Sequence, residues 1–141
     1  MIFKPHSPKQ DLVLFSEKPI VIGATGIQWG KTISGALWMK MQMHKHTSPD
    51  DNFIVTSPSY RIFSQSTLPP FLQLMGGLGR YDRKNECFIM HRGGTCWFRT
   101  GTLPDSVVGI TRVRAILCDE AGLYSLYFWE NIQGRSSFYQ A

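Results

Sequence analysis

Two short clusters in this chain combine residue types that chemistry on a charged phosphate ester would need. Gly30-Lys31-Thr32 puts a flexible backbone, an ammonium and a hydroxyl in consecutive positions, and Asp119-Glu120 puts two carboxylates side by side 88 residues beyond Lys31. The first cluster ends the stretch Pro19-Ile-Val-Ile-Gly-Ala-Thr-Gly-Ile-Gln-Trp-Gly-Lys-Thr32, which reads as a phosphate-binding loop. In such a loop the backbone N–H groups wrap a triphosphate, the lysine reaches the outer phosphates and the hydroxyl ligates Mg2+. Thr25, Gly26, Ile27, Gln28, Trp29 and Gly30 would form the wrapping backbone, with Lys31 and Thr32 following. The strict pattern would place its first glycine at 25, where the chain has Thr25, with Gly26 one step later. Asp119 is suited to hold the metal, directly or through water, and Glu120 to polarise an attacking water. Upstream, the amide of Gln10 offers both a donor and an acceptor, the pair needed to read an adenine edge; a solvated helix residue is an equal reading.

Such residues work only if strands and helices position them. Ile20, Val21 and Ile22 form a β-branched run suited to a buried parallel strand before the loop, and Ile33, Ala36, Leu37 and Met41 recur at helical spacing after it. That helix is predicted from Lys31 to about His46, stopped by Thr47-Ser-Pro-Asp-Asp-Asn52. Phe53–Thr56 reads as a second strand and Val113–Cys118 as a third, which delivers Asp119 and Glu120 at a strand's carboxyl end, where open α/β sheets bind ligands. Between them, Ile62–Met75 reads as two short helices broken at Pro69-Pro70, and Glu86–His91 with Thr95–Arg99 as a hairpin across Arg92-Gly-Gly94. Gly76–Gly79 and Thr102–Gly109 read as loops, and Leu123 to about Ile132 as a helix. Residues 8–17 suggest a short helix with Leu12, Val13 and Phe15 or Ser16 turned inward.

The 141 residues, 43% hydrophobic and 13% aromatic, suffice for one domain with a real core and exclude disorder as the main state. No stretch has signal-peptide character or membrane-spanning length, so a soluble, intracellular protein with no membrane partner is expected. Three cysteines in no framework spacing agree with a reducing compartment. A net charge of +5 permits a polyanionic partner without demanding one, because the charge is spread along the chain. Cys87, His91 and Cys96 offer only three ligands in strand-like context, not a zinc knuckle. Trp97, Phe98 and Arg99 alternate as packing residues of a hairpin more than as a base-stacking platform, and Tyr60-Arg61 reads as a surface turn that could face DNA or nucleotide.

The segments Gly23–Thr32, Thr56-Ser-Pro-Ser-Tyr60, Gly101-Thr-Leu-Pro-Asp-Ser-Val-Val-Gly109 and Ala115-Ile-Leu-Cys-Asp-Glu-Ala-Gly122 resemble, in order and spacing, the ATPase half of the large terminase subunit of tailed bacteriophages. The resemblance covers nearly the whole chain, and the stretch from Leu103 through Ala121 is its distinctive part. It implies an α/β P-loop NTPase fold of the ASCE type, a three-layer sandwich with a mostly parallel sheet. Residues 1–141 would be a partial packaging-motor domain, without the nuclease domain and with an incomplete sheet that exposes apolar surface near Phe128, Trp129 and Phe138. The implied activity is Mg2+-dependent ATP hydrolysis driving double-stranded DNA into a procapsid. A homo-oligomeric ring on the portal protein would do this with a small terminase subunit, in the cytoplasm of the bacterial host. Lys31 and Thr32 then become triphosphate and metal ligands, Asp119 the metal carboxylate, Glu120 the catalytic base and Gln10 the adenine contact. Ile27 and Val108 stand where the family often has arginines, so Arg112, Arg114 and Arg135 are the open candidates for a transition-state arginine. A helicase-like nucleic-acid ATPase, or a non-catalytic remnant that binds nucleotide or a partner, is the alternative.

Overall fold

In the computed structural model the described residues are 8–17 and 30–136. The expected strand over Ile20–Ile22, the loop residues 25–29 and Phe138 lie outside them. The apolar run after the Thr47–Asp51 turn forms β1 (Asn52–Ser57), five of whose six residues are buried, as expected of a strand covered on both faces. It is the hub of a five-stranded sheet in the order β2-β3-β4-β1-β5, where β2 is Gly79–Asp82, β3 Cys87–Met90, β4 Thr95–Thr100 and β5 Val113–Cys118. β4 and β5 flank β1 in parallel, while β2 and β3 continue the sheet antiparallel. Among the described residues the protein is therefore α/β with a mixed sheet, parallel where β4 and β5 flank β1 and antiparallel through β2, β3 and β4.

Alternation along the strands divides the core in two. Phe53, Val55, Cys96, Phe98 and Ala115 point to one face, where they meet Ala36, Met39 and Met43 of α2 (Lys31–Lys45) and Phe71, Leu74 and Met75 further on. Phe71 and Phe98 meet edge to face at 5.2 Å, and Phe71 and Phe88 at 5.7 Å. Ile54 points to the other face, joined there by Val113, which precedes a register shift in the β1–β5 pairing, against Val107 of a short 3-10 turn (Pro104–Val107) and Phe128 and Ile132 of the last helix. Helices thus cover the sheet on both sides. Among the described residues no helix is long and apolar enough to cross a membrane.

Several expectations are corrected. The first helix, α1 (Pro8–Leu14), buries Leu14, whereas Leu12 and Phe15 are exposed, because the short helix meets the protein along one line only. Residues 60–75 do not break at the prolines: α3 (Tyr60–Ile62), a π-helical turn (Phe63–Thr67) and α4 (Leu68–Met75) run on continuously. A proline ring collides with the carbonyl four residues back. For Pro69 and Pro70 those carbonyls belong to Gln65 and Ser66, inside the widened π turn, which makes room for both rings. Gly79, read as loop, opens β2; the segment after Thr102 contains the 3-10 turn. The final helix, α5, is Leu126–Ser136, a little later than expected. Phe128 is not exposed but fully buried, its ring edge-on to Tyr124 at 4.9 Å, and Trp129 is half-buried. The exposed apolar residues near it are Leu123, Leu126 and Tyr127.

Candidate functional site

Parallel pairing of β1 with β4 and β5 sends three strands to the same edge of the sheet, and the polar residues gather there. Asp119 follows β5 directly. Its N–H donates to the Thr56 carbonyl at 3.0 Å, so the ladder holds it one residue beyond the strand proper. Its own carbonyl accepts from the Tyr124 hydroxyl at 2.9 Å, and that hydroxyl also meets Thr56 Oγ1 at 2.7 Å. The aspartate backbone is thereby fixed on both sides. Burial pushes the Tyr124 phenol far above its ordinary range, so the hydroxyl stays a neutral donor.

The amino end of α2 points at this aspartate. Gly30 precedes the helix in the left-handed region, with φ 76° and ψ 30°, a conformation that glycine adopts without the Cβ penalty. Among the described residues no side chain caps the helix, whose first-turn N–H groups lie at its positive end. Thr32, one residue into the helix, places Oγ1 3.4 Å from both carboxylate oxygens of Asp119, across 87 residues of sequence. The distance is long for a hydroxyl–carboxylate hydrogen bond, so the two oxygen-bearing groups face each other without being tightly joined. Lys31 stands beside Thr32, partly buried, and makes no ion pair among the described residues.

Glu120 is exposed and left-handed, with φ 50° and ψ 43°. Few non-glycine residues adopt this backbone; in this chain Glu86 and Arg112 do so as well. At Glu120 it turns the chain from β5 into the 3-10 turn Ala121–Leu123, closed by the Leu123 N–H on the Glu120 carbonyl at 3.0 Å. Beneath the pair, burial pushes the Cys118 thiol up to about 11, against a smaller lowering by a hydrogen bond to Thr56, which keeps it from acting as a thiolate.

One participant had no signal in the sequence reading. Thr67, buried in the π turn, donates from Oγ1 to Asp119 Oδ2 at 2.8 Å and lies 3.4 Å from Ser57 Oγ. It ends the polar run Ser64-Gln65-Ser66-Thr67, in which nothing sets it apart from its neighbours.

The fold brings together Thr32, Lys31, Asp119 and Glu120, and leaves other candidates elsewhere. Gln10 lies in α1, and its side chain is outside the described set. Arg112 and Arg114 sit at the far end of β5, both on the buried Asp51 carboxylate at 3.3 and 2.9 Å. Arg114 precedes Asp119 by five residues, roughly 17 Å of strand, so neither arginine reaches this site within one chain. Arg135 is in the last turn of α5. Arg99 lies over Trp97 at 5.1 Å and donates to the Ser106 and Phe98 carbonyls, while Phe98 is core, so this trio braces the 103–107 loop. Cys87 and Cys96 are buried in neighbouring strands, His91 is exposed, and no group of three metal-ligating side chains occurs among the described residues. Tyr60 and Arg61 are exposed at the start of α3. No protein-family model matches this chain, and neither the curated proteins nor the solved structures yield a match.

Proposed function

We propose that the chain is a P-loop ATPase, the motor portion of a viral DNA-packaging terminase large subunit that couples ATP hydrolysis to movement of double-stranded DNA. The observation that carries the reading is the approach of Thr32 to Asp119 across 87 residues, at the end of the sheet where α2 presents its amino terminus. A hydroxyl and a carboxylate meeting at a helix amino end, with a lysine next to the hydroxyl in the chain, are the set a metal–triphosphate complex would need. Hydroxyl and carboxylate oxygens are the hard donors that Mg2+ prefers, and the loose 3.4 Å spacing suits two groups meant to share an ion rather than each other. When bound, Mg2+ would supply neutralisation of charge on the outer phosphates.

In this reading the N–H groups at the start of α2, with the backbone of Thr25–Trp29, hold the phosphates. Lys31 neutralises the transferred group, and Glu120 orients the water and accepts its proton. Gln10 contacts adenine. Double-stranded DNA, the portal protein, a small terminase subunit and a ring of identical chains are partners on the strength of the sequence resemblance. A transition-state arginine for the site would come from Arg135 or from another subunit of that ring, since Arg112 and Arg114 are engaged at the opposite end of the sheet.

The test compares Mg2+-dependent ATP hydrolysis and nucleotide binding of the native chain with Lys31→Ala and Glu120→Gln. Lys31→Ala is expected to lose both, and Glu120→Gln to keep binding while losing hydrolysis by a factor of about 100 or more. Equal rates for all three proteins would remove the enzymatic reading; nucleotide binding by the native chain with no turnover would favour the nucleotide-binding remnant.

A further inference from the structure

Asp119 has two threonine hydroxyls near it, and they are not equivalent. Thr32 lies 3.4 Å from each oxygen, whereas Thr67 donates to Oδ2 alone, at 2.8 Å. A carboxylate at a strand terminus is free to turn about its last torsion, and a single short hydrogen bond on one oxygen stops that rotation. Oδ1 is left without this bond and, like Oδ2, lies 3.4 Å from the Thr32 hydroxyl of α2.

Thr67 has other ways to satisfy a buried hydroxyl. A helical threonine commonly bonds a carbonyl three or four residues back, and Ser57 Oγ is also within 3.4 Å. The short bond nevertheless goes to Asp119. The geometry behind it is unusual: Thr67 closes the π-helical turn, and one extra residue in a helical turn rotates everything beyond it by roughly 100° relative to a regular helix. Phe63 opens the same turn and is buried against Phe98 at 5.1 Å, which anchors it to β4. Pro69 and Pro70, just after it, make the wide turn sterically favourable.

Resting on the ATPase reading above, we propose that Thr67 is a positioning residue. Its hydroxyl locks the Asp119 carboxylate so that Oδ1 faces the metal held with Thr32, and the π turn exists to deliver that hydroxyl. Residues that orient a metal-binding group from behind typically change metal affinity 10–100-fold when removed.

The experiment measures Mn2+ binding in the presence of ADP by electron paramagnetic resonance, and ADP binding in EDTA, for the native chain, Thr67→Val, Thr67→Ser and Ser57→Ala. Thr67→Val is expected to weaken Mn2+ binding about tenfold or more with metal-free ADP binding unchanged. Thr67→Ser restores binding to within about threefold of native, because it restores the donor. Ser57→Ala leaves it unchanged, because Thr67 keeps its bond to Asp119. Should Thr67→Val not fold, Thr67→Ala is read in its place. Native-like Mn2+ affinity in the variant without the donor, or failure of Thr67→Ser to rescue, overturns the positioning role alone. If the native chain binds no metal with ADP, the ATPase reading falls and this role with it.

Discussion

Replacing Tyr124 by phenylalanine removes one oxygen and tests the network that fixes the site aspartate. That oxygen bridges Thr56 Oγ1 at 2.7 Å and the Asp119 carbonyl at 2.9 Å, while the ring packs on buried Phe128. A net hydrogen bond is worth about 1 kcal/mol, so the loss of two predicts destabilisation of roughly 2 kcal/mol. Thr56 Oγ1 keeps a second partner, the Leu117 carbonyl at 3.3 Å, so the larger share of the cost falls on the Asp119 carbonyl. For a chain of this size the expected fall in melting temperature is roughly 5–10 °C. Urea unfolding of native, Tyr124→Phe, Thr56→Val and the double variant isolates the bridge. The coupling expected between the two positions is about 1 kcal/mol, because the Tyr124–Thr56 bond can be lost only once. Tyr124→Phe within about 0.5 kcal/mol of native, together with zero coupling, would mean that the hydroxyl is not holding β5 to β1, and the account of how Asp119 is fixed would be wrong.

Two further outcomes follow from other parts of the fold. Burial opposes ionisation of Asp51, but the Arg114 and Arg112 guanidiniums outweigh it and hold the carboxyl below its usual 3.8. The unfolded chain therefore takes up this proton first as the pH falls. The stabilisation is complete above the unfolded value and is lost as acid approaches the lower folded one, so acid unfolding of Asp51→Asn should be less steep below about pH 4, which equilibrium denaturation at several pH values would reveal. At Gly79, an added Cβ would lie 2.2 Å from the Ile89 backbone oxygen. Gly79→Ala should thus detach β2 from β3, raising amide exchange at Arg80, which pairs with Ile89, and costing roughly 1–3 kcal/mol, whereas unchanged exchange would refute the close approach.

What could be read from the sequence is what a local pattern dictates. Ile54 and Val55 in a β-branched and aromatic run, the apolar approach to Asp119, and Gly93-Gly94 between two alternating segments each point to the structure they form. The direction of α2 toward Asp119 followed from the order of the motifs. Thr67 could not be read, because its place depends on a π turn that looks like a proline-broken segment, and its partner is 52 residues away. β2 was hidden by its polar composition, Gly-Arg-Tyr-Asp, since an edge strand need not bury both faces. Phe128 was misjudged because its burial depends on the distant Ile54 and Val107, which no helical periodicity reveals.

The central position of β1 also bears on how the chain finds this arrangement. β2, β3 and β4 pair along a continuous stretch from Gly79 to Thr100, as a meander whose neighbours are close in sequence. β1 instead joins β4 across 43 residues and β5 across 61. The loop-closure difference between those two steps is only about 0.3 kcal/mol, too small to set their order. What separates them is that β4 reaches β1 already braced by a local meander, whereas β5 brings no partner strand among the described residues. Thr32, Thr67, Asp119 and Tyr124 meet only when β5 is paired with β1, so the cluster depends on that long-range closure, and no excised fragment shorter than residues 32–124 can contain it.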